Sequence, residues 1–374
     1  MFPVTKKRLI YSMRRYVIWN RHGHRAPGKN IFPGSIKSEK ALWQRLVVPE
    51  VQHASLARKH RITSEYDKGR DMHTFPFGNL TVKGATHLER VGQQLFKQFG
   101  SDFKQLNENS CVKLYCTNYS RTQCSAQSLL SGMRFGSMYY QNMDHELFVR
   151  AMERCPMAFY EGRQPLASSM SKRIQQNDEF KELEASFADI REKILSVFPN
   201  LMVDPFTAQF DYLAAFDYFV CREAHSLPID AAFSSDGINY TTVLTTHMCA
   251  RYGHYLNDEQ HLAEFAGPLV ADLVQQIDAS LHNDNTHFTL FSGHDVNLLA
   301  LLYGLDLVKD GLWHAYWPGY GSTCVFQIEP EAAENDAKVH VYIDLEVAPR
   351  CTFSLLQLKD IKARLADKYT WDHH

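Results

Sequence analysis

A histidine between two arginines lies near the start of the chain. Positions 21–27 read RHGHRAP, so that His22 lies between Arg21 and Arg25. The pattern R-H-G-x-R-x-P would occur by chance in roughly one chain in ten thousand of this length, so the match indicates a functional site. Two guanidinium groups beside one imidazole can bind a small anion that carries several negative charges. The glycine lets backbone approach closely, and Pro27 fixes the exit of the chain from the turn.

This motif directly follows a segment with the pattern of a buried strand. Positions 16–19 read YVIW and run into the polar turn that holds the motif. Open α/β sheets bind ligands just beyond the carboxyl ends of their strands, which is where the motif lies. Arg121 and the pair His294–Asp295 also follow segments with strand patterns.

The remaining patterns predict an α/β fold with a central mixed, mostly parallel sheet flanked by helices, and with a helical cap insertion. Further strands are predicted at 112–116, 287–291, 324–328 and 339–345, and helices at 80–100 (capped by Thr81), 121–132 and 296–305. Positions 29–80 show no regular pattern. We expect an α/β core formed by 1–140 and 286–374, with 141–285 as a mostly helical cap.

Composition and charge exclude several classes of protein. Of the 374 residues, 40 are Lys or Arg and 42 are Asp or Glu, a balance that argues against a broad surface for nucleic acid or anionic membrane. The sequence has no apolar run of about 18 residues that would predict a transmembrane helix. The basic N-terminus lacks a following apolar region, so no export signal is expected.

No metal or other cofactor is expected. The eight cysteines form no CxxC pair, which argues against zinc-ribbon and thioredoxin-like sites. His22 and His24 have the spacing of a possible metal pair, but no acidic or cysteine ligand lies nearby at a suitable spacing. We interpret His24 as a variable position of the motif.

The sequence resembles the histidine phosphatase superfamily, and in particular its acid-phosphatase branch. The resemblance rests on the RHGxRxP motif, on Arg121, which lies where the family has a third phosphate-binding arginine, and on the His294–Asp295 pair. It spans most of 14–135 and 286–350. Taken alone, the His–Asp pair would more often be a helix start beside an ordinary histidine. The first motif in the same chain favours the functional interpretation.

The resemblance implies a metal-independent acid phosphatase. On this interpretation His22 attacks the phosphorus of a phosphomonoester and forms a phosphohistidine, which water then hydrolyses. Asp295 is the general acid that protonates the leaving alcohol, so a mildly acidic pH optimum is expected. The phosphoryl oxygens are bound by Arg21, Arg25, Arg121 and His294. The chemistry agrees, because the arginine charges disfavour protonation of the histidine and a nucleophile must be neutral.

Three alternatives stay open. The first is a pseudo-enzyme that binds a phosphorylated ligand without turnover, which the intact set of motif residues disfavours. The second is a phosphotransferase similar to phosphoglycerate mutase, which the His–Asp pair and the helical insert disfavour. The third is phytase-like or lysophospholipid-directed activity, because 294–297 (HDVN) is similar to phytases. A phytase needs further basic residues in its pocket, and the sequence offers Lys29, Lys37, Arg163 and Arg173.

The cysteines leave the redox state open. Cys221 and Cys324 lie where secreted members of the family have a disulfide, so the resemblance implies this pairing. Cys155 also resembles a disulfide position of the family, and Cys351 is the nearest candidate for its partner. The alternative is a set of reduced, mostly buried thiols.

The compartment and the partners are only partly constrained. Sequons at Asn79, Asn118 and Asn239 favour a glycoprotein, although Asn118 is expected to be unmodified because it lies close to the expected site. The protein is expected to be secreted or lysosomal if the N-terminus is incomplete, and cytoplasmic otherwise. The partner implied is a small-molecule phosphomonoester rather than a nucleic acid, and a homodimer stays open.

Overall fold

The computed structural model describes most of the chain and has an α/β fold. The described residues are 14–31, 36–65, 75–103, 111–134, 146–202, 210–282, 286–308, 316–331 and 333–368. The basic segment 1–13, on which the export prediction depends, lies outside them. No described helix is both long and apolar enough to cross a membrane.

Eight strands within the described residues form one mixed sheet, in the order β2-β4-β3-β5-β1-β6-β7-β8. From β2 to β1 neighbouring strands are parallel, and β6, β7 and β8 continue the sheet in antiparallel pairs. The predicted mostly parallel, mixed sheet is confirmed. The strands are Arg15–Arg21 (β1), Ile62–Ser64 (β2), Cys111–Cys116 (β3), Leu147–Val149 (β4), Thr286–Gly293 (β5), Thr323–Glu329 (β6), Lys338–Ile343 (β7) and Cys351–Ser354 (β8).

Helices cover the sheet and form the cap. They are Ile36–Gln44 (α1), Glu50–Lys59 (α2), Val82–Phe103 (α3), Ser120–Gly132 (α4), Phe159–Gly162 (α5), Gln164–Ile174 (α6), Asp178–Ser186 (α7), Ala188–Val197 (α8), Tyr212–Ala224 (α9), Tyr240–Asn257 (α10), Glu259–His282 (α11), Asp295–Gly304 (α12) and Leu355–Ala366 (α13). Short 3-10 turns lie at Met152–Arg154, Pro156–Ala158, Pro199–Met202, Ala231–Phe233 and Glu334–Asp336.

The central strand β1 shows why the molecule has three layers. All seven of its residues are buried, and successive side chains of a strand point to opposite faces of the sheet. Tyr16 and Ile18 pack with α3 and α4 on one face. Val17 and Trp19 pack on the other face with α11 and α12. The sheet is therefore covered by helices on both faces, as its parallel half requires.

The cap shares its hydrophobic core with one face of the sheet. Phe180, Ile194, Phe219 and Leu244, from four different cap helices, belong to the same buried cluster as Trp19. Two elements inside 141–285 also belong to the sheet or contact it directly, since β4 pairs with β3 and α11 packs against β1 and β5. The division of the chain at 140 and 285 stays a prediction.

Most strands and helices with a clear periodicity were predicted correctly. Every predicted strand and helix is present, and each predicted end lies within three residues of the observed one. Thr81 caps α3 as predicted, because its Oγ1 accepts a hydrogen bond from the Gly84 N–H at 3.2 Å. The predicted strand 339–345 ends earlier, at Ile343, since Asp344 and Leu345 adopt positive φ angles of 49° and 64°. The sequence analysis did not predict four elements: β2, β4, β8 and α13. It also missed α1 and α2, which lie in the segment 29–80 that shows no regular sequence pattern.

Candidate active site

The predicted site residues come together at the carboxyl ends of β1, β3 and β5. These strands are parallel neighbours, with Arg21 opposite Gly293 and Cys116 opposite Ser292. Their ends therefore meet at one edge of the sheet. The RHGxRxP loop leaves β1 there, α4 begins after β3, and α12 begins directly after β5 with Asp295 as its first residue.

Backbone hydrogen bonds hold the motif loop against its neighbours. The His22 N–H donates to the Gly293 carbonyl at 3.0 Å, and the His22 carbonyl accepts from the Gly321 N–H at 3.1 Å. The Gly23 N–H donates to Ser125 Oγ on α4 at 3.0 Å. The histidine is thus fixed at both of its backbone polar groups, between β5 and the segment that leads into β6.

Two glycines allow this loop to lie directly on α3. A Cβ at position 23 would lie 2.6 Å from Leu88 Cδ2 and 2.7 Å from the Gly84 carbonyl oxygen. A Cβ on Gly84 would lie only 2.1 Å from the carbonyl oxygen of His24. Backbone therefore meets backbone here, which no residue with a side chain permits.

His22 is a buried, neutral imidazole. Its exposed fraction is 2%, and its Nδ1 lies 2.9 Å from the Gly23 carbonyl oxygen. A carbonyl can only accept, so Nδ1 carries the proton and Nε2 keeps its lone pair. Burial lowers the pKa of His22 well below its ordinary value, and nearby positive groups lower it further: Arg121, Arg25, Arg21 and His294.

Arg21 and Asp295 form an ion pair at the site. The guanidinium lies 2.7 Å from Asp295 Oδ2, donates to the Pro318 carbonyl at 2.5 Å and stacks over the Tyr320 ring at 4.3 Å. The same carboxylate oxygen accepts a hydrogen bond from the indole N–H of Trp317 at 3.2 Å. The segment that precedes β6 therefore positions both the arginine and the carboxylate.

Arg25 is held by a carboxylate from the cap. Both of its terminal nitrogens lie 2.8 Å from an oxygen of Asp217 on α9, and the Gly28 N–H donates to the same carboxylate at 2.6 Å. Burial opposes ionisation of Asp217, but the guanidinium and this N–H hold the pKa of its carboxyl below the ordinary value. The pair links the motif loop to the cap.

Arg121 and His294 complete the site on the side of α4. The Arg121 guanidinium lies over the Tyr119 ring at 4.2 Å and 3.5 Å from His294 Nδ1. His294 Nε2 lies 3.1 Å from Thr117 Oγ1, which fits a ring that accepts at Nδ1 and donates at Nε2. The His294 and His22 rings are 5.6 Å apart, centre to centre.

The electrostatics of this arrangement suit a small oxyanion. The Nε groups of Arg21 and Arg25 are buried and have no hydrogen-bond partner in the structure. A buried donor without a partner is costly unless a ligand accepts from it. The N-termini of α4 and α12 also meet at this edge, and helix N-termini favour negative charge. An anion with several oxygens would satisfy these donors.

A comparison with protein families agrees with this geometry. The model of the histidine phosphatase superfamily (branch 2) matches residues 13–341, which is most of the chain. The chain belongs to the histidine phosphatase superfamily. The match includes every predicted site residue, from the RHGxRxP loop to the His294–Asp295 pair.

Two similar members of the superfamily are proteins of Dictyostelium discoideum named "Probable acid phosphatase". One is 23% identical, with 81% of this chain and 62% of the relative covered. The other is 26% identical, with 80% and 63% covered. The chain thus spans less than two thirds of the length of these curated relatives.

Solved structures of similar histidine phosphatases share the fold. The phytase from Citrobacter braakii matches with a TM-score of 0.56 at 16% identity, covering 96% of this chain and 98% of the phytase. A multiple inositol polyphosphate phosphatase from Bifidobacterium longum, solved with phosphate, matches with a TM-score of 0.60 at 13% identity, covering 99% and 95%. At such low identity the likeness concerns the fold alone.

Three residues at this histidine phosphatase site were not predicted from the sequence. Asp217 holds Arg25, Trp317 donates to Asp295, and Tyr320 stacks on Arg21. Asp217 lies in the middle of a cap helix and gives no local signal. The segment YWPGY at 316–320 does give one, since three aromatic residues around a Pro-Gly pair directly before a core strand are unusual for a plain turn.

The predicted disulfide between Cys221 and Cys324 is not formed. Both thiols are buried and free, and they belong to different hydrophobic clusters. Cys221 Sγ instead lies 3.2 Å from the Tyr320 hydroxyl. Cys155 and Cys351 form no disulfide either. The structure therefore has the alternative arrangement, reduced thiols, at these four positions.

The three sequons differ in their surroundings. Asn79 and Asn118 are buried, so the folded chain leaves no room for a glycan at either. Asn239 is exposed, and its side chain accepts a hydrogen bond from the Thr242 N–H at 3.0 Å at the start of α10. Glycosylation stays a prediction at Asn239 alone.

Proposed function

We propose that this chain hydrolyses phosphomonoesters through a phosphohistidine on His22, with Asp295 as general acid. The observation that carries the proposal is the state of His22. It is neutral, its Nδ1 proton is engaged by a carbonyl, and its Nε2 lone pair remains among three arginines. A neutral imidazole fixed beside groups that bind an oxyanion is suited to attack phosphorus. The arginines supply the positive charge, so the step needs no metal.

The first half-reaction transfers the phosphoryl group to the histidine. A bond forms between Nε2 of His22 and phosphorus while the bond from phosphorus to the ester oxygen breaks. Asp295, in its protonated form, gives its proton to the departing oxygen. The charge on the transferring group is stabilised by Arg21, Arg25, Arg121 and His294.

The second half-reaction restores the enzyme. Asp295 is now a carboxylate and accepts a proton from water as the water oxygen attacks phosphorus. The bond between phosphorus and Nε2 of His22 breaks, and inorganic phosphate leaves with the neutral imidazole regenerated. Arg21 and the Trp317 indole hold the Asp295 carboxylate in one orientation, which supports its role as the base in this step.

The test is hydrolysis of p-nitrophenyl phosphate against pH, with chelator present. We expect activity with a mildly acidic optimum in the wild-type protein and a loss of at least roughly a thousandfold in His22→Ala. His340→Ala is the matched control, because this histidine lies on β7 and its ring nitrogens form hydrogen bonds with Thr352 and Glu329. Activity retained by His22→Ala would show that His22 is not the nucleophile. Phosphate binding without turnover in the wild type would indicate a pseudo-enzyme.

A further inference from the structure

We propose that Trp317 determines specificity, and that with Phe216 and Tyr252 it forms a subsite for a flat aromatic leaving group. The substrate class is then an aryl monophosphate, the ester of a phenol with a single phosphate. The inference rests on the proposed function, because the position of Asp295 locates the leaving oxygen. An enzyme with this subsite would differ in specificity from one that acts on a substrate with many phosphates.

The general acid places the leaving group beside Trp317. A general acid must come within hydrogen-bond distance of the oxygen that it protonates. Asp295 has one carboxylate oxygen shared by Arg21 and the Trp317 N–H, while the other accepts from the Val296 N–H at 2.9 Å. The alcohol that receives its proton from Asp295 therefore leaves phosphorus next to the indole ring.

Aromatic rings of the cap fix the indole in place. The Phe216 ring lies 5.4 Å from the Trp317 ring at an interplanar angle of 72°, and the Tyr252 ring lies 5.2 Å away at 76°. Phe216 and Tyr252 are 4% and 9% exposed, whereas Trp317 is only half-buried. Part of the indole surface thus stays exposed, while its N–H contacts Asp295. A rigid aromatic surface of this kind favours a flat, apolar group.

The charges of the cap disfavour a substrate with many phosphates. Such a substrate needs cations in excess of carboxylates around the pocket. Several cationic side chains of the cap and motif loop are instead paired with carboxylates, among them Lys29 with Asp211, Arg25 with Asp217, Arg173 with Asp258, Arg222 with Glu39 and Arg251 with Glu184. Two of the four basic residues that a phytase-like pocket could use, Lys29 and Arg173, are therefore already paired with carboxylates. The Lys37 side chain lies outside the described residues.

The experiment compares kcat/KM for phenyl phosphate, glycerol 2-phosphate and inositol hexakisphosphate. We expect phenyl phosphate to be preferred over each of the others by at least roughly tenfold, the ratio given by burial of about 60 Å² of apolar surface. Trp317→Leu should lower the ratio of phenyl to glycerol phosphate by roughly tenfold, and Trp317→Phe should largely keep it. Tyr316→Phe is the control, since its hydroxyl bonds to Asp344.

A binding measurement separates this inference from the proposed function. Phenylphosphonate cannot be hydrolysed, and it should bind the wild-type chain roughly tenfold more tightly than methylphosphonate, with the difference lost in Trp317→Leu. If the chain binds phenylphosphonate more tightly than methylphosphonate but hydrolyses no ester, the subsite is supported and only the hydrolytic function is overturned. Equal binding of the two phosphonates, an equal loss on both esters in Trp317→Leu, or preferred hydrolysis of the hexakisphosphate would overturn the subsite.

Discussion

Arg25 and Asp217 are separated by 192 positions in the sequence yet form a buried, two-pronged ion pair. An unpaired guanidinium at this depth would carry a large desolvation cost, so the carboxylate is what allows the arginine to be buried. Arg25 Nε is buried and has no hydrogen-bond partner among the described residues. A single cap residue thus allows Arg25 to be buried and fixes its orientation, and we propose that this arginine binds phosphate.

A second residue, His261, predicts how stability depends on pH. Its ring is buried among the rings of Phe159, Tyr160, Phe265 and Tyr255, and burial lowers its pKa to about 4. The unfolded chain binds a proton at this histidine near pH 6.5, whereas the folded chain does not until about pH 4. Its contribution is therefore complete above pH 6.5 and is lost as the pH falls from there towards 4.

Urea unfolding at pH 7.5 and pH 4.5 measures this effect. We expect His261 to account for about 2–3 kcal/mol of the stability lost between these two values. His261→Gln should reduce the loss by that amount, whatever its effect at pH 7.5. His282→Gln, at the exposed end of the same helix, is the control and should leave the pH dependence unchanged. The same loss in His261→Gln as in the wild type would contradict the assignment.

At the scale of elements, α3 and α4 pack closely against each other. A Cβ on Gly92 of α3 would lie 2.1 Å from the Leu129 carbonyl oxygen, and one on Gly132 of α4 would lie 2.0 Å from the Glu89 carbonyl oxygen. The two helices therefore touch backbone to backbone. Since α4 carries Arg121 in its first turn, the spacing of this pair also positions a site residue.

Alanine substitutions in α3 test this packing. Gly92→Ala must push the helices apart, so we expect a loss of about 1–3 kcal/mol in the free energy of unfolding and weaker binding of inorganic phosphate. Gly100→Ala is the matched control, because its nearest neighbours are ring atoms of Phe96 in its own helix, at 3.4 Å. It should be neutral or more stable by up to about 1 kcal/mol. Equal effects of both substitutions would show that helix spacing does not matter.

The elements also show what the sequence could reveal. The strand at 15–21 was predicted from its continuous apolar run YVIW, and the helix at 82–103 from apolar positions spaced by three or four residues. β2 and β4 have three residues each, too few to show an alternation. The site residues were predicted from the RHGxRxP motif and from the resemblance to the family, whereas Asp217 reaches the site only through the packing of the cap on the sheet.

At the scale of the whole molecule, the site lies where the sheet and the cap meet. The sheet edge supplies His22, the proposed nucleophile, and the arginines that we propose bind phosphate. The cap supplies Asp217 from α9 and the rings of Phe216 and Tyr252 around Trp317. Because cap and sheet share one buried cluster, the two parts of the site are held by a common core. We infer that the sheet edge recognises the phosphate and that Trp317, supported by rings of the cap, selects the substrate.

The central claim is that His22 carries the phosphoryl group during turnover. Rapid mixing with phenyl phosphate, quenching in base and peptide mass analysis would test it most directly, because a phosphohistidine survives base. The account predicts one phosphoryl group per chain, on the peptide that contains His22, formed before inorganic phosphate is released at steady state. A full burst of phenol with no covalent phosphate, or with the phosphate on another residue, would contradict it.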